Sequence, residues 1–287
     1  MTPSERDRAF ARARNRIVRG QVSLMRGTRD ELVSLLQHAQ RAIVEIIAGQ
    51  PTDYERWSLP RLSAEIRREL AQFGEQGAAR ISGAAGRAWE LGEQLVDTPL
   101  EAGGVRLAAF APAIDARSLS AMRAFMVDRI KGIGLDAANK ITAELGLVVI
   151  GARSPSDAVG AVTRILGETS RARATMIVRT ELGRVFSLAA QERMQAAAER
   201  LPGLRKQWRR SGKVHPRPHH DLADGQIRPV DEPFVLRPLG RPPVELMYPR
   251  DPAAPPSETI NCGCVSLPVM ERWEVSARGR KAGSAFE

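Results

Sequence analysis

The chain has 287 residues, 43% of them hydrophobic, with only 5% aromatic and a formal net charge of +10, enough for one large domain or two ordinary ones. That composition suits several medium-length helices better than a β sandwich. No apolar run nears the roughly 20 residues that cross a bilayer and the N-terminus is charged, so neither a membrane-spanning nor a secreted protein is expected.

The charge is uneven. Residues 200–217 carry seven basic residues and no acid, and residues 1–30 carry eight arginines against Glu5, Asp7 and Asp30. Two basic zones on a near-neutral body predict contact with a polyanion or an acidic protein surface.

Thr2-Pro3-Ser4-Glu5 combines an N-cap, a proline at the first helical position and a glutamate that reaches back to the cap, so a helix starts there. Phe10, Ala13, Ile17 and Leu24 give it a thin apolar stripe among arginines. Thr28 to Glu31 repeats the capping pattern, predicting a second helix through Ile47 that stops at Gly49 and Pro51. From Ser58 a long amphipathic helix follows, with Leu62, Ile66, Leu70, Phe73, Ile81 and Leu95 on one seam. Its glycines, Gly74, Gly77 and Gly92 among them, imply close packing by another helix. Thr98-Pro99 and Glu101 to Gly104 predict a linker or corner.

Ser118 to Ile130 predicts a short helix, and the glycines of Lys131-Gly132-Ile133-Gly134 an ordinary helix-to-helix turn, with a phosphate-binding hairpin as the alternative. Ser154-Pro155-Ser156-Asp157 starts a helix that Gly167 closes. Another runs from about Thr169 to Leu201, stopped by Pro202-Gly203. Within it, Arg179 and Glu181 are expected to pair and to fix this helix against the C-terminal segment. Beyond Pro202 the texture turns to proline, glycine and short β-like runs at 205–210, 233–236 and 265–267. These elements predict an α+β protein with a mostly helical N-terminal half, then a long helix plus a small loop-rich, β-containing C-terminal domain. A helical region over 1–100, a domain over 105–268 and a basic, flexible tail over 269–287 are the expected divisions.

Chemically special residues gather between Arg217 and Cys264. A disulfide between Cys262 and Cys264 would close a tiny strained loop, so a reduced pair is expected. His215, His219, His220 and the two cysteines are zinc-ligand types. Their spacing lacks paired knuckles, so the favoured reading has His220, Asp224 and Asn261 pinning a loop-rich fold by hydrogen bonds, with zinc on His220, Cys262 and Cys264 as the alternative. Asp224-Gly225 reads as a turn. A metal-dependent nuclease built on the His/Asp/Cys-rich stretch 215–264 is the enzymatic alternative, although no paired carboxylates accompany the histidines. A Cys262 nucleophile with His220 ranks below it.

The order of motifs resembles the phage Mu F-type head morphogenesis domain of minor head proteins. It comprises Arg179, Thr180 and Glu181, then Trp208, then Arg217, His220, Asp224 and Gly225, then Asp231, Glu232 and Phe234, then Pro249, Asp251 and Pro252, and finally Asn261, Cys262 and Cys264. The core spans 179–264, and the likeness is expected to extend upstream to about Ser118 but not into the first hundred residues. Gly263 stands where the family usually has arginine. Gly212, Lys213 and His215 stand where it usually has an acid.

The resemblance implies a non-enzymatic virion component, made in the bacterial host cytoplasm and held inside the head near the portal vertex. There it would act in capsid assembly, DNA packaging or delivery. The implied partners are the portal, capsid or scaffold proteins and, without sequence preference, double-stranded DNA; no membrane partner and no cofactor are implied. Arg205, Lys206, Arg209, Arg210 and Lys213 are the candidate DNA-binding residues, read from their charge alone.

Overall fold

The structure, a computed structural model, describes residues 2–51, 57–107, 114–115, 117–212 and 217–273. It is α+β, with three long helices followed by broken helical segments and two small antiparallel sheets. No helix among the described residues is long and apolar enough to cross a membrane.

Helix α1 (Pro3–Ala48) begins on the expected cap, with Glu5 N donating to Thr2 Oγ1 at 3.3 Å and Thr2 N to Glu5 Oε2 at 2.7 Å. It then runs without interruption through Thr28, where a new start was expected. Thr28 is buried and Asp30 pairs with Arg29, so the second capping pattern is interior sequence. Helix α2 (Leu59–Ala102) likewise continues through Pro99 and ends three residues later. There Val105 N bonds Leu100 O at 2.8 Å and Gly104 takes φ +92, a left-handed stop. Helix α3 (Arg117–Val149) carries Gly132 and Gly134 inside it, so both the turn and the phosphate-binding hairpin are replaced by continuous helix.

The chain divides into two compact units that share these helices. One takes Arg26–Ala84 and Ala121–Val178. Its buried residues include Leu32, Leu36 and Ile43 from α1, Leu62, Ile66 and Leu70 from α2, and Ile130, Ile133 and Ile141 from α3. A Cβ on Gly134 would lie 2.6 Å from the backbone oxygen of Leu70, and one on Gly77 would lie 2.8 Å from Ile130. Glycine thus lets α2 and α3 approach closely, as the seam implied. Helix α4 (Pro155–Arg164) starts on a full Ser154–Asp157 capping box. Gly167 does not end it; a π-helical turn, Ile165–Ser170, leads directly into α5 (Arg171–Ile177).

The other unit takes Met1–Met25, Ala85–Ser120 and Arg179–Glu287. A second π-helical turn, Val178–Leu182, leads into α6 (Gly183–Ala198). Strand β1 (Leu204–Arg209) is the centre of a three-stranded sheet, flanked by β2 (Ile227–Pro229) and β5 (Val265–Met270). β3 (Phe234–Leu236) and β4 (Val244–Leu246) form a separate hairpin-like pair. Phe10, Leu95, Leu100, Phe186, Met194 and Leu267 belong to one apolar cluster, and Trp208, Phe234, Leu246, Cys262 and Cys264 to another. The expected tail starts later than residue 269, because Met270 pairs with Leu204 and Trp273 is held. The Trp273 ring meets Phe10 edge-on at 5.5 Å, and its Nε1 donates to Asp7 at 3.1 Å. Residues 274–287 lie outside the described residues.

Candidate functional site

Two motif segments meet α6 and the π-turn before it, the turn around Arg250 and the segment that begins at Asn261. A π-turn admits one more residue than an α-turn and re-aims the side chains it carries. The turn Val178–Leu182 contains the whole Arg179-Thr180-Glu181 motif. Thr180 Oγ1 accepts from Asn261 N at 2.9 Å, joining this turn to the Cys-Gly-Cys segment. The expected ion pair is corrected. Arg179 is exposed, and buried Glu181 pairs at 2.6 Å with Arg184 one turn onward, whose Nε also donates to Arg250 O at 3.0 Å.

Arg250, between Pro249 and Asp251, is the residue that sequence reasoning missed. Its side chain is 1% exposed, yet it carries a guanidinium. Nη1 donates to Cys262 O at 2.7 Å and Nη2 to Ser187 Oγ at 3.0 Å, linking α6, its own turn and the cysteine segment. Gly183 makes room for it, since a Cβ there would stand 2.6 Å from Arg250 Nε. Asp251 holds the turn by accepting from Met247 N at 2.9 Å and Ala253 N at 3.0 Å. Pro249 is buried and Pro252 exposed. Arg250 itself has φ +70, a conformation that no residue-type rule predicts for arginine.

The histidine–cysteine cluster lies against this brace. Helix α7 (Pro218–Leu222) presents His219 and His220, and helix α8 (Pro256–Thr259) presents Glu258. His220 Nε2 lies 2.9 Å, and His219 Nε2 2.6 Å, from the same Glu258 oxygen. Burial pushes the Glu258 carboxyl up, but the two histidine hydrogen bonds outweigh it and hold the group at about 2. On the other edge of the ring, His220 Nδ1 lies 3.6 Å from Cys262 Sγ and 3.7 Å from Cys264 Sγ. Cys262 is drawn far below an ordinary thiol by the hydrogen bond from Cys264, and then by His220 and the Arg250 charge, against the effect of burial. Cys264 is pushed up, first by donating to Cys262 and then by burial. Trp208 closes the cluster: its Nε1 donates to His220 O at 3.1 Å, and its ring meets His220 and Phe234 edge-on at 5.5 and 5.3 Å.

The remaining motif residues shape the loop around the cluster. Arg217 Nη2 donates to Ile260 O at 2.8 Å. Gly225 takes φ +84 in a turn whose amide donates to Trp208 O at 2.9 Å. Asp224 accepts from Arg210 N at 2.9 Å, and Asp221 pairs with the Arg210 guanidinium at 2.7 Å. Neither aspartate joins a metal-ligand group among the described residues, where such groups are His220 with Cys262 and Cys264, and His219 with His220 and Glu258. Asp221 and Asp224 thus face arginines, and Glu258 is the carboxylate beside the histidines. Cys262 and Cys264 are 4% and 2% exposed, which closes the thiols to a substrate.

One member of the basic strip of β1, Lys206, is corrected. Strand alternation turns Lys206 inward with Leu204 and Trp208. Its Nζ donates to Met247 O at 2.7 Å and Gln191 Oε1 at 3.3 Å and lies 5.1 Å from the Phe234 ring, so it is withdrawn from any DNA. Burial above all drives its pKa down to about 8. Arg205 pairs with Glu271 at 3.0 Å, Arg209 with Asp224 at 3.5 Å and Arg210 with Asp221. Lys213 and His215 lie outside the described residues. By contrast Arg8, Arg12, Arg16 and Arg19 on α1 are all exposed, and no ion pair among the described residues involves them.

Residues 131–267 match the sequence model of the family described as Phage Mu protein F like protein. That segment is similar to the Phage Mu protein F-like family. The Mu F-like match begins at Lys131, within α3 and later than Ser118, and ends in β5, so it takes in every motif residue named above. The chain is also 36% identical over 106 residues to the uncharacterized protein YqbB of Bacillus subtilis (strain 168). The aligned part is 36% of this chain and 32% of that protein, so the chain spans about a third of this relative's length. No solved structure matches. The Mu F-like domain supports a phage head-associated protein.

Proposed function

We propose that the chain is a structural minor head protein that acts in capsid assembly, DNA packaging or delivery, docking on the portal and touching packaged DNA without sequence preference. The Mu F-like match over 131–267 carries this reading. The site geometry accords with it, because the motif residues are spent on hydrogen bonds that lock a turn-rich fold, and the cysteines are closed to substrate.

The DNA-facing surface is assigned to α1 rather than β1. At about 100° per residue, Arg8, Arg12, Arg16 and Arg19 fall within roughly 80° of one another, on one face of the helix. They extend over about 16 Å at 1.5 Å per residue. Exposed guanidiniums at one-turn spacing suit a phosphate backbone.

Replacing all four with alanine tests the assignment, with binding of a random duplex followed across a salt series. Each lost phosphate contact lowers the slope of log K against log salt by about 0.9, so a fall of about 2 to 4 is expected. An unchanged slope overturns the assignment. Co-purification with the cognate portal tests the head role separately; a chain that never associates with portal or heads in infected cells sinks it.

A further inference from the structure

We propose that His220, Cys262 and Cys264 form a buried site for one zinc ion, oriented by Glu258. The inference does not rest on the head-protein reading.

Geometry comes first. Zinc–sulfur bonds of about 2.3 Å and zinc–nitrogen bonds of about 2.05 Å at the tetrahedral angle put sulfur and nitrogen about 3.6 Å apart. The structure places His220 Nδ1 at 3.6 Å from Cys262 Sγ and 3.7 Å from Cys264 Sγ, and all three ligand atoms lie within 4.8 Å of one another. A C-x-C pair closes a short chelate loop, which by itself disfavours both sulfurs reaching one ion. The fold removes that objection. Asn261 takes φ +55 just before the pair, and Cys262 and Cys264 then lie two residues apart on chain leading into β5, both sulfurs turned to His220.

The tautomer comes second. A carboxylate only accepts, so Glu258 at 2.9 Å fixes the His220 proton on Nε2. The Nδ1 lone pair then points at the two sulfurs. A ligating histidine held from behind by a carboxylate is the usual support of a zinc site, and here His219 anchors the same Glu258 oxygen at 2.6 Å.

The shell around the sulfurs comes third. Cys264 N reaches Cys262 Sγ at 3.4 Å, and the Arg250 guanidinium lies alongside on Cys262 O at 2.7 Å. Backbone donors and a fixed cation stabilise thiolates, which are the form that binds zinc. Two thiolates cancel the charge of one zinc ion, leaving Arg250 and Glu258 to balance each other. As a purely protein cluster the same atoms are poorly matched, because a thiol is a weak donor and acceptor. Soft sulfur with imidazole selects zinc over magnesium or calcium. Three protein ligands leave the fourth position for water or a small anion.

The test uses the full chain purified without chelator. Elemental analysis is expected to find about one zinc per chain, and stripping it is expected to lower the melting temperature. Cobalt(II) added to stripped protein is expected to give visible d–d bands and a near-ultraviolet thiolate-to-cobalt band. The Glu258→Gln variant, which keeps all three ligands, is expected to bind zinc about 10- to 100-fold more weakly. His220→Asn and Cys264→Ser are expected to lose the metal. The cobalt spectrum uses the wild-type chain, so the result stands even if those variants fail to fold. A chain with intact circular dichroism that carries no zinc and gives no thiolate-to-cobalt band overturns the proposal.

Discussion

Arg250→Met is the most informative single substitution in the C-terminal unit. Methionine keeps much of the volume and removes the charge, so the change isolates what the guanidinium does. Two effects oppose each other. Burying an arginine costs several kcal/mol, and Arg250 is 1% exposed with Nε lacking a hydrogen-bond partner among the described residues, so removing it relieves that cost. Against this, Cys262 O and Ser187 Oγ lose donors at 2.7 and 3.0 Å. Hydrogen bonds from charged groups contribute about 1.5–3 kcal/mol each, and buried acceptors left unpaired cost a similar amount. The fixed turn at Arg250 cannot relax to let water in, because Arg184 holds its carbonyl. We therefore expect the loss to win, with a net destabilisation of about 2–4 kcal/mol. Urea unfolding followed by tryptophan fluorescence measures it, with an unchanged denaturant slope as the check that the folded state is retained. A double-mutant cycle with Ser187→Ala should show a coupling of about 1–2 kcal/mol. An Arg250→Met chain as stable as the wild type would refute the reasoning, since the brace would then be dispensable.

Two further outcomes follow from the packing. Lys206 has its pKa lowered to about 8 in the folded chain, so between about pH 8 and the unfolded value near 10.5 the unfolded chain binds more protons. Stability from this group is therefore absent below about pH 8 and gained as pH rises, by on the order of 2–3 kcal/mol. The stability difference between wild type and Lys206→Met across pH 7–10.5 should follow that curve, and a flat difference contradicts it. Gly134→Ala would set a Cβ 2.6 Å from the backbone oxygen of Leu70. It should destabilise by about 1–3 kcal/mol despite alanine's better helix propensity; a stabilised variant in thermal unfolding would show that α2 and α3 can part at no cost.

What could be read in the sequence was mostly local. The caps at Thr2 and Ser154 depend on neighbouring residues and appear as read, whereas α6 ends at Ala198, three residues before the expected Leu201, and the strand expected over 205–210 is Leu204–Arg209. Thr28, Pro99 and Gly132-Gly134 carry the same local signals, yet lie inside helices because burial along the long seams outweighs them. Lys206 was legible in principle: with Leu204 and Trp208 it forms the inward set of an alternating strand, and charge was given precedence over period. Arg250 was not legible. Its burial depends on Gly183, Ser187 and Cys262, brought together only by the fold. The ion-pair partner of Glu181 is Arg184 rather than Arg179 because residues three apart share a helix face and residues two apart do not.

The change of pitch at the π-turn Val178–Leu182 sets a rule of length for the whole segment. In a uniform α-helix, one residue more or fewer turns everything downstream by about 100°. The extra residue in Val178–Leu182 is therefore a phase shift for every side chain of α6 that follows it. Individual side chains along the helix can be exchanged for others of similar size. Its count of residues cannot, because a one-residue deletion would rotate Gly183 and Ser187 away from Arg250 in a single step.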